Sequence, residues 1–439
     1  MPSLMPSLQT LTLGCSKNRV DTEHILSRLE GIYDLLPEDG TGGPCDVFLL
    51  NTCGFIGDAK EESIAAILEA VGRKKRGEIG RLVVFGCLSQ RYSAEMPELI
   101  PEVDAWFGAV DFTPLLSYLG ADLSEEKNPF RHLTTPRHYA FLKISEGCDR
   151  RCSYCAIPFI RGKHRSVPMD ELVEEARLLA SKGVRELIVI AQDTTYYGLD
   201  LYRRRALAEL LQRLSEVDGI EWIRIHYSYP ADFPEDVLDQ MATNPKVCRY
   251  MDIPLQHISD TVLDNMHRNV SGDWTRKLIR RMRERVPGVV LRTTMIVGHP
   301  GEGRKEFGEL LDFVQEARFE RLGAFKYSEE EGTYGAEHFK DGVTARTKQR
   351  RLDRLMSIQR DISLEFNRSR IGTEVRVIVD GYSDGMLVCR SEFESPEVDG
   401  EIYVRYRGDR DPAALCGQFI QVRIVGADEY DLTAEMISE

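Results

Sequence analysis

Three cysteines, Cys148, Cys152 and Cys155, fall within eight positions in "EGCDRRCSYCAIP" (146–158). Thiolates this close can hold a metal, and the question is which one. The start "MPSLMPSLQTLTLGC" has no basic residue ahead of its apolar positions and no small-residue cleavage pattern, so it reads poorly as a secretory signal. Its doubled "MPSL" reads as a ragged start at Met1 or Met5. No run approaches the roughly 18 apolar residues of a membrane span. A cytoplasmic protein is expected, and in a reducing compartment ten cysteines are no disulfide framework. Structural zinc takes four protein ligands, usually as two separated pairs. Here the nearest completing ligand for a zinc site would be His164. Three thiolates on one short loop suit an iron–sulfur cubane better, with one iron left open for chemistry.

A second set is dispersed: Cys15 in "TLGCSKN", Cys53 in "LLNTCGFI" and Cys87 in "VVFGCLSQRY". Each ends an apolar strand at a Gly- or Thr-bearing turn. In a parallel sheet such ends share one edge, so the three thiols could converge there. The competing interpretation is three buried thiols packed as small hydrophobes. Cys45, Cys248, Cys389 and Cys416 read as core or incidental thiols.

The elements that must position these residues are legible as periodicity. In the middle of the chain, apolar runs at 139–145, 186–191, 222–228, 249–254, 289–297 and 322–328 alternate with amphipathic stretches. That pattern predicts parallel strands with crossover helices, a partial (β/α)6 barrel with ligands at the carboxyl ends of its strands. The clustered cysteines directly follow the first of these strands. The first 120 or so residues repeat the logic on a smaller scale, with strands at 9–14, 45–51, 82–86 and 105–108, giving an open parallel α/β domain. A polar, proline-bearing stretch at 120–136 reads as a linker. After a long charged helix at 344–369 the period changes to two, which predicts a small antiparallel β-barrel. The expected fold is α/β with three domains, at 7–122, 134–364 and 367–437. The whole chain has a net charge of −14, which argues against a surface built to grip nucleic acid throughout. Residues 370–439 hold seven Arg and no Lys against fifteen Asp and Glu, 7 − 15 = −8, so a basic partner is expected there.

The spacing C-x3-C-x2-C, with Tyr154 before the third cysteine, resembles the radical S-adenosylmethionine (SAM) superfamily. With "TLGCSKN", "NTC" and "GC" ahead of it and a TRAM-like barrel behind, almost the whole chain resembles the methylthiotransferase family. The resemblance implies two [4Fe–4S] clusters, one on Cys15, Cys53 and Cys87, the other on Cys148, Cys152 and Cys155, with SAM on the open iron of the second. It implies that one SAM methylates sulfur at the first cluster. A second SAM yields a 5′-deoxyadenosyl radical that takes hydrogen from the substrate carbon. No acid–base dyad is required for a homolytic C–H cleavage, so no catalytic side chain is assigned. Beside the family's cysteines, Tyr154, Gln192, Asp193, Gly298 and Pro300 are candidate SAM contacts, the last four because they close the second and fifth central strands. For these four a structural turn is an equal alternative, and the same holds for the basic stretch "RGKHRS" (161–166), which would otherwise offset negative charge near the cluster.

Two branches of the family compete. "IAQDTTYYGLDLY", "DIPLQHISD" and "RTTMIVGHPGE" resemble the branch that thiomethylates the β-carbon of an aspartate in small-subunit ribosomal protein S12. The alternative branch acts on an adenosine in tRNA, and more often has Asp where Thr294 stands. His299 and Gly303 depart from both patterns. The acidic barrel favours the ribosomal protein, since it would attract a basic protein and repel RNA. The resemblance also implies an electron donor such as flavodoxin or ferredoxin, and no membrane. A non-enzymatic two-cluster electron carrier is a further alternative, although carriers usually supply four cysteines per cluster.

Overall fold

The computed structural model describes residues 5–38, 43–122, 131–408 and 411–437. The first four residues, the first copy of the doubled "MPSL", and positions 123–130 of the expected linker lie outside that description. The chain divides into two compact units. One comprises Met1–Thr135, Phe141–Arg151 and Cys155–Leu179, the other Pro136–Ala140, Cys152–Tyr154 and Ala180–Glu439.

The first unit is built on strands β1 (Ser7–Thr12), β2 (Asp34–Leu35), β3 (Cys45–Thr52), β4 (Ile79–Gly86) and β5 (Ala105–Trp106), in the order β2-β1-β3-β4-β5. Every pairing is parallel. Two apolar layers cover the sheet, one around Phe48, Leu50, Leu82 and Val84, the other around Val47, Leu49, Val83 and Phe85. Alternate residues of β3 and β4 feed opposite layers, which is why both strands read as unbroken apolar runs. Of this sheet's strands, β2 is the one the sequence reading leaves out. Helix α1 (Ser16–Leu29) departs from the usual rule. Its buried face includes Lys17, Asn18, Asp21, Thr22 and Glu23, and the function of that polar face is electrostatic.

Far from being a loose linker end, Arg131 is fully buried and pairs with Glu23 and with Glu175 at 2.8 Å. Also in this unit, β7 (Ser145–Glu146) pairs antiparallel with β8 (Arg165–Ser166), closing the cysteine loop at its base.

A six-stranded sheet has the order β13-β12-β11-β10-β9-β6, from β6 (Tyr139–Lys143) through β9 (Glu186–Ile190), β10 (Trp222–Ile225), β11 (Val247–Asp252), β12 (Val290–Val297) and β13 (Arg321–Lys326), and β9 to β13 with the first two residues of β6 belong to the second unit. Strands β9 to β13 are parallel throughout. The long helix, Ala345–Ser369, starts where the Thr344 side chain accepts from the Thr347 amide at 3.3 Å.

The last five strands, β14 (Glu374–Ser383), β15 (Met386–Arg390), β16 (Ile402–Arg405), β17 (Phe419–Ala427) and β18 (Leu432–Met436), close a barrel in the order β14-β15-β16-β18-β17. Val377, Val379, Leu387, Ile402, Val404, Val422 and Ile424 fill it. It is antiparallel except for β16–β18. An odd number of strands cannot alternate direction all the way round, so one parallel pair is unavoidable.

Three of the fifteen carboxylates in 370–439, Asp380, Glu394 and Asp399, are committed to pairs within the fold, whereas Glu374, Asp384, Glu397, Asp411, Asp428 and Glu435 are exposed. Glu186 accepts from Arg224 at 2.8 Å and from Arg390 at 2.7 Å, with all three buried. Asp380 takes two bonds from Arg390 and one contact from His138 Nε2 at 2.7 Å. Glu394 pairs with Arg321 and Arg370, and Asp399 accepts from Tyr250 at 2.6 Å. These pairs take Arg370 and Arg390 out of play along with the carboxylates, so the barrel's net negative charge stands.

Candidate metal centres

In the first unit, Cys15, Cys53 and Cys87 follow the carboxyl ends of β1, β3 and β4, three neighbours in one parallel sheet. They are brought together: Cys87 feels the charge of Cys15 and Cys53, and Cys53 that of Cys15. Glycines make room for this. A Cβ on Gly14 would stand 2.7 Å from Cys53 Cβ and 3.0 Å from its sulfur, and one on Gly54 would stand 2.9 Å from the Cys87 carbonyl carbon. Gly14 also has φ +91, a conformation that side chains resist.

The asparagines of "TLGCSKN" and "NTC" tie the strand ends together. Asn18 Nδ2 donates to Leu13 O at 2.9 Å and to Thr52 O at 3.2 Å, while Asn51 Nδ2 donates to Asn18 O at 2.9 Å. Ser63 holds the Cys53 peptide from both sides, accepting from its N–H at 3.0 Å and donating to its carbonyl at 2.9 Å. Cys15 is the N-cap residue of α1, at the positive end of a helix dipole.

Sequence reasoning left Arg161 undecided between solvated turn and counter-charge. The structure buries it at 2% exposure, donating Nε–H to Cys87 Sγ at 3.3 Å, Nη1 to Asp21 at 2.7 Å and Nη2 to Asn18 Oδ1 at 2.6 Å. The rest of that basic stretch divides, with His164 buried and Lys163 and Arg165 exposed. Burial pushes the Cys87 thiol up to about 12, outweighing the pull of Arg161, and burial raises Cys53 too. Metal loading at these thiols therefore releases protons.

On the second cysteine set, Cys148 N–H donates to Gly162 O at 3.1 Å, and a Cβ on Gly147 would stand 2.2 Å from Lys163 O. His164, the candidate that would complete a zinc site, directs Nε2 to Ser166 Oγ at 3.0 Å. In the second unit, the segment Cys152–Tyr154 is held by backbone bonds. Ser153 N donates to Met266 O at 3.0 Å, and Gly335 N donates to Ser153 O at 2.6 Å. Arg268, unremarked in the sequence, donates Nη1 to Cys152 Sγ at 3.5 Å and to Tyr154 OH at 3.3 Å, and lies 4.1 Å over the Tyr229 ring. Its only sequence signal is an arginine just after a short helix, Asp260–Asn265, which is too common to single out.

The other candidates have local duties. Asp193 Oδ1 accepts from Thr195 N at 3.0 Å and Oγ1 at 2.6 Å, capping the turn Thr194–Tyr196 at the end of β9, where Gln192 is half-buried beside it. The close approach at Gly298 is made by Lys348, whose Cγ would lie 2.4 Å from an added Cβ, and Pro300 O accepts from Asn265 Nδ2 at 3.1 Å. His299 is fully buried, edge-on to Tyr154 and Tyr327, with burial lowering its pKa to about 4. Two histidines at strand ends are structural in their contacts: His226 meets Ser395 Oγ at 2.9 Å, and His257 accepts from Ser259 N at 3.1 Å. Cys45, Cys248 and Cys389 are buried in apolar clusters as expected, whereas Cys416 is exposed.

Among the described residues, no three His, Cys, Asp or Glu groups stand close enough to clasp a single metal ion. A cubane asks less, because each of its thiolates holds a different iron. Soft sulfur donors, a glycine-lined approach and a buried guanidinium on each set fit an iron–sulfur group.

Three family models match the chain: Uncharacterized protein family UPF0004 over 7–108, the Radical SAM superfamily over 142–314 and a TRAM domain over 371–437. The ribosomal protein uS12 methylthiotransferase RimO of Bacteroides fragilis is 49% identical over 431 residues, covering 98% of this chain and 99% of its own. That of Bacteroides thetaiotaomicron is 50% identical over 432 residues, covering 98% of each. Among solved structures, the radical S-adenosylmethionine methyltransferase TsrM from Kitasatospora setae aligns with a TM-score of 0.56 at 14% identity, over 88% of this chain and 81% of TsrM. At that identity the likeness is one of fold.

Proposed function

We propose, from the premise that this chain belongs to the RimO family of ribosomal protein uS12 methylthiotransferases, that it adds a methylthio group to the β-carbon of an aspartate in uS12. Its cofactors are SAM and [4Fe–4S] clusters, which when bound supply the reducing electron and the sulfur that no side chain can provide. The observation that carries this reading is the convergence of Cys15, Cys53 and Cys87 at one sheet edge, in a chain that also bears C-x3-C-x2-C.

The residues divide the work. Cys148, Cys152 and Cys155 hold the SAM-binding cluster, and Cys15, Cys53 and Cys87 hold the one that carries sulfur. Tyr154 and Gln192 line the SAM side, with Asp193, Gly298 and Pro300 shaping the turns behind them. Asn18 and Ser63 fix the loops of the first set, and Arg161 balances its charge. The three segments 7–122, 134–364 and 367–437 act as sulfur-carrying, SAM-binding and barrel domains. No helix among the described residues is long and apolar enough to cross a membrane, and a cytoplasmic site of action suits a ribosomal substrate. A low-potential carrier such as flavodoxin or ferredoxin would supply electrons. RNA contact is not favoured by the chain's net charge of −14.

The test is anaerobic reconstitution with iron, sulfide and SAM, followed by mass spectrometry of a uS12 peptide and of tRNA nucleosides. A methylthio adduct on the peptide aspartate is the expected result. An adduct on the nucleoside alone would overturn it.

A further inference from the structure

Resting on that cluster assignment, we propose that Arg268 is a positioning residue that makes the Cys148/Cys152/Cys155 site the more readily reduced of the two. The two buried guanidiniums sit in different company. The charge of Arg161 is shared with Asp21 at 2.7 Å and Glu146 at 3.2 Å, and Lys143 contacts the same two carboxylates. Two cations against two anions leave the neighbourhood of Cys87 near neutral.

Arg268 has no such balance. It is 3% exposed, and its partners among the described residues are Cys152 Sγ, Tyr154 OH, Pro254 O and the Tyr229 ring. None is a carboxylate, and its buried Nε–H has no acceptor among the described residues. An arginine stays protonated even when buried, so a full positive charge stands beside Cys152 and awaits an anion. A thiolate-ligated cluster is that anion. Each added electron makes it one unit more negative, and a nearby cation in a poorly screened interior stabilises the reduced form more than the oxidised one. The electron comes singly from an external low-potential donor and needs no accompanying proton. Under limited reducing power, electrons would therefore collect where SAM is cleaved before they reach the sulfur-carrying cluster.

Two full-length variants separate the sites. Replacing Cys15, Cys53 and Cys87 by Ala leaves only the second set, and replacing Cys148, Cys152 and Cys155 by Ala leaves only the first. After reconstitution with iron and sulfide, potentiometric EPR should give a less negative midpoint for the second set. Arg268→Gln in that background should move the midpoint to more negative potential, and Arg268→Lys should restore most of the difference. A reversed order of the two midpoints overturns the proposal, as does an iron-replete Arg268→Gln protein with an unmoved midpoint. If Arg268→Gln takes up no iron, the order of the two parents and the Arg268→Lys midpoint decide. Absence of iron from the variant that keeps only Cys15, Cys53 and Cys87 would instead overturn the two-cluster reading on which the proposal rests.

Discussion

Arg161 donates its Nε–H to Cys87 Sγ across 3.3 Å, from a short helix that begins just after Cys155. One buried cation thus joins the element that follows the second cysteine set to a ligand of the first. Breaking a buried ion pair from one side costs on the order of 3–5 kcal/mol, because the partner is left charged and dry. Arg161→Ala leaves Asp21 to Lys143 alone, which places the loss at the lower end of that range, and it also removes a bond to Asn18. The variant should lose about that much stability in chemical denaturation of the apoprotein. Arg161→Lys, which keeps the charge but not the fork, should lose less.

Glycine at position 14 is required twice over, by φ +91 and by the 2.7 Å approach to Cys53. Gly31 shares the positive φ, at +81, but has nothing within 4 Å of an added Cβ. Gly31→Ala should therefore cost only the conformational strain of about 1–2 kcal/mol. Gly14→Ala should cost more and lower iron uptake, since it must push Cys15 and Cys53 apart. Thermal unfolding and iron analysis of the pair separate strain from crowding.

Cys53→Ala should remove about four irons per reconstituted chain, one cubane's worth. Cys45 is buried in an apolar cluster of the same unit, and Cys45→Ala should leave iron content unchanged at a stability cost of about 1–2 kcal/mol. Equal iron in both variants would remove Cys53 from the metal site.

Acid should weaken the barrel's buried ion pairs in a defined window. Burial alone would raise the Glu394 pKa, but Arg370 and Arg321 outweigh it and bring the carboxyl down to about 2. A carboxyl depressed by folding binds fewer protons folded than unfolded, so its contribution is complete above about pH 4.3. That contribution, roughly 3 kcal/mol, is lost as pH falls through 4 toward 2. Stability measured from pH 6 to 2.5 should fall more steeply in the parent than in Glu394→Gln, whose stability should already be low at pH 6.

By itself the sequence determined the strands and the positions of the thiols at their ends. Strand periodicity is local, and a parallel sheet sends all its carboxyl ends to one edge, so Cys15, Cys53 and Cys87 had to meet once β1, β3 and β4 became neighbours. What only the tertiary structure decided is which charges go inside and with whom. Arg161 and Arg165 look alike in "RGKHRS", yet one is buried against Cys87 and the other is exposed. The barrel's excess of carboxylates reads as a surface for a basic partner, and only the structure shows that Asp380, Glu394 and Asp399 among them are committed to arginines and tyrosine within the fold. Arg268 gave no sign at all. A charge's surroundings are set by residues more than a hundred positions away, as Cys152 is from Arg268, and no local pattern encodes such a meeting.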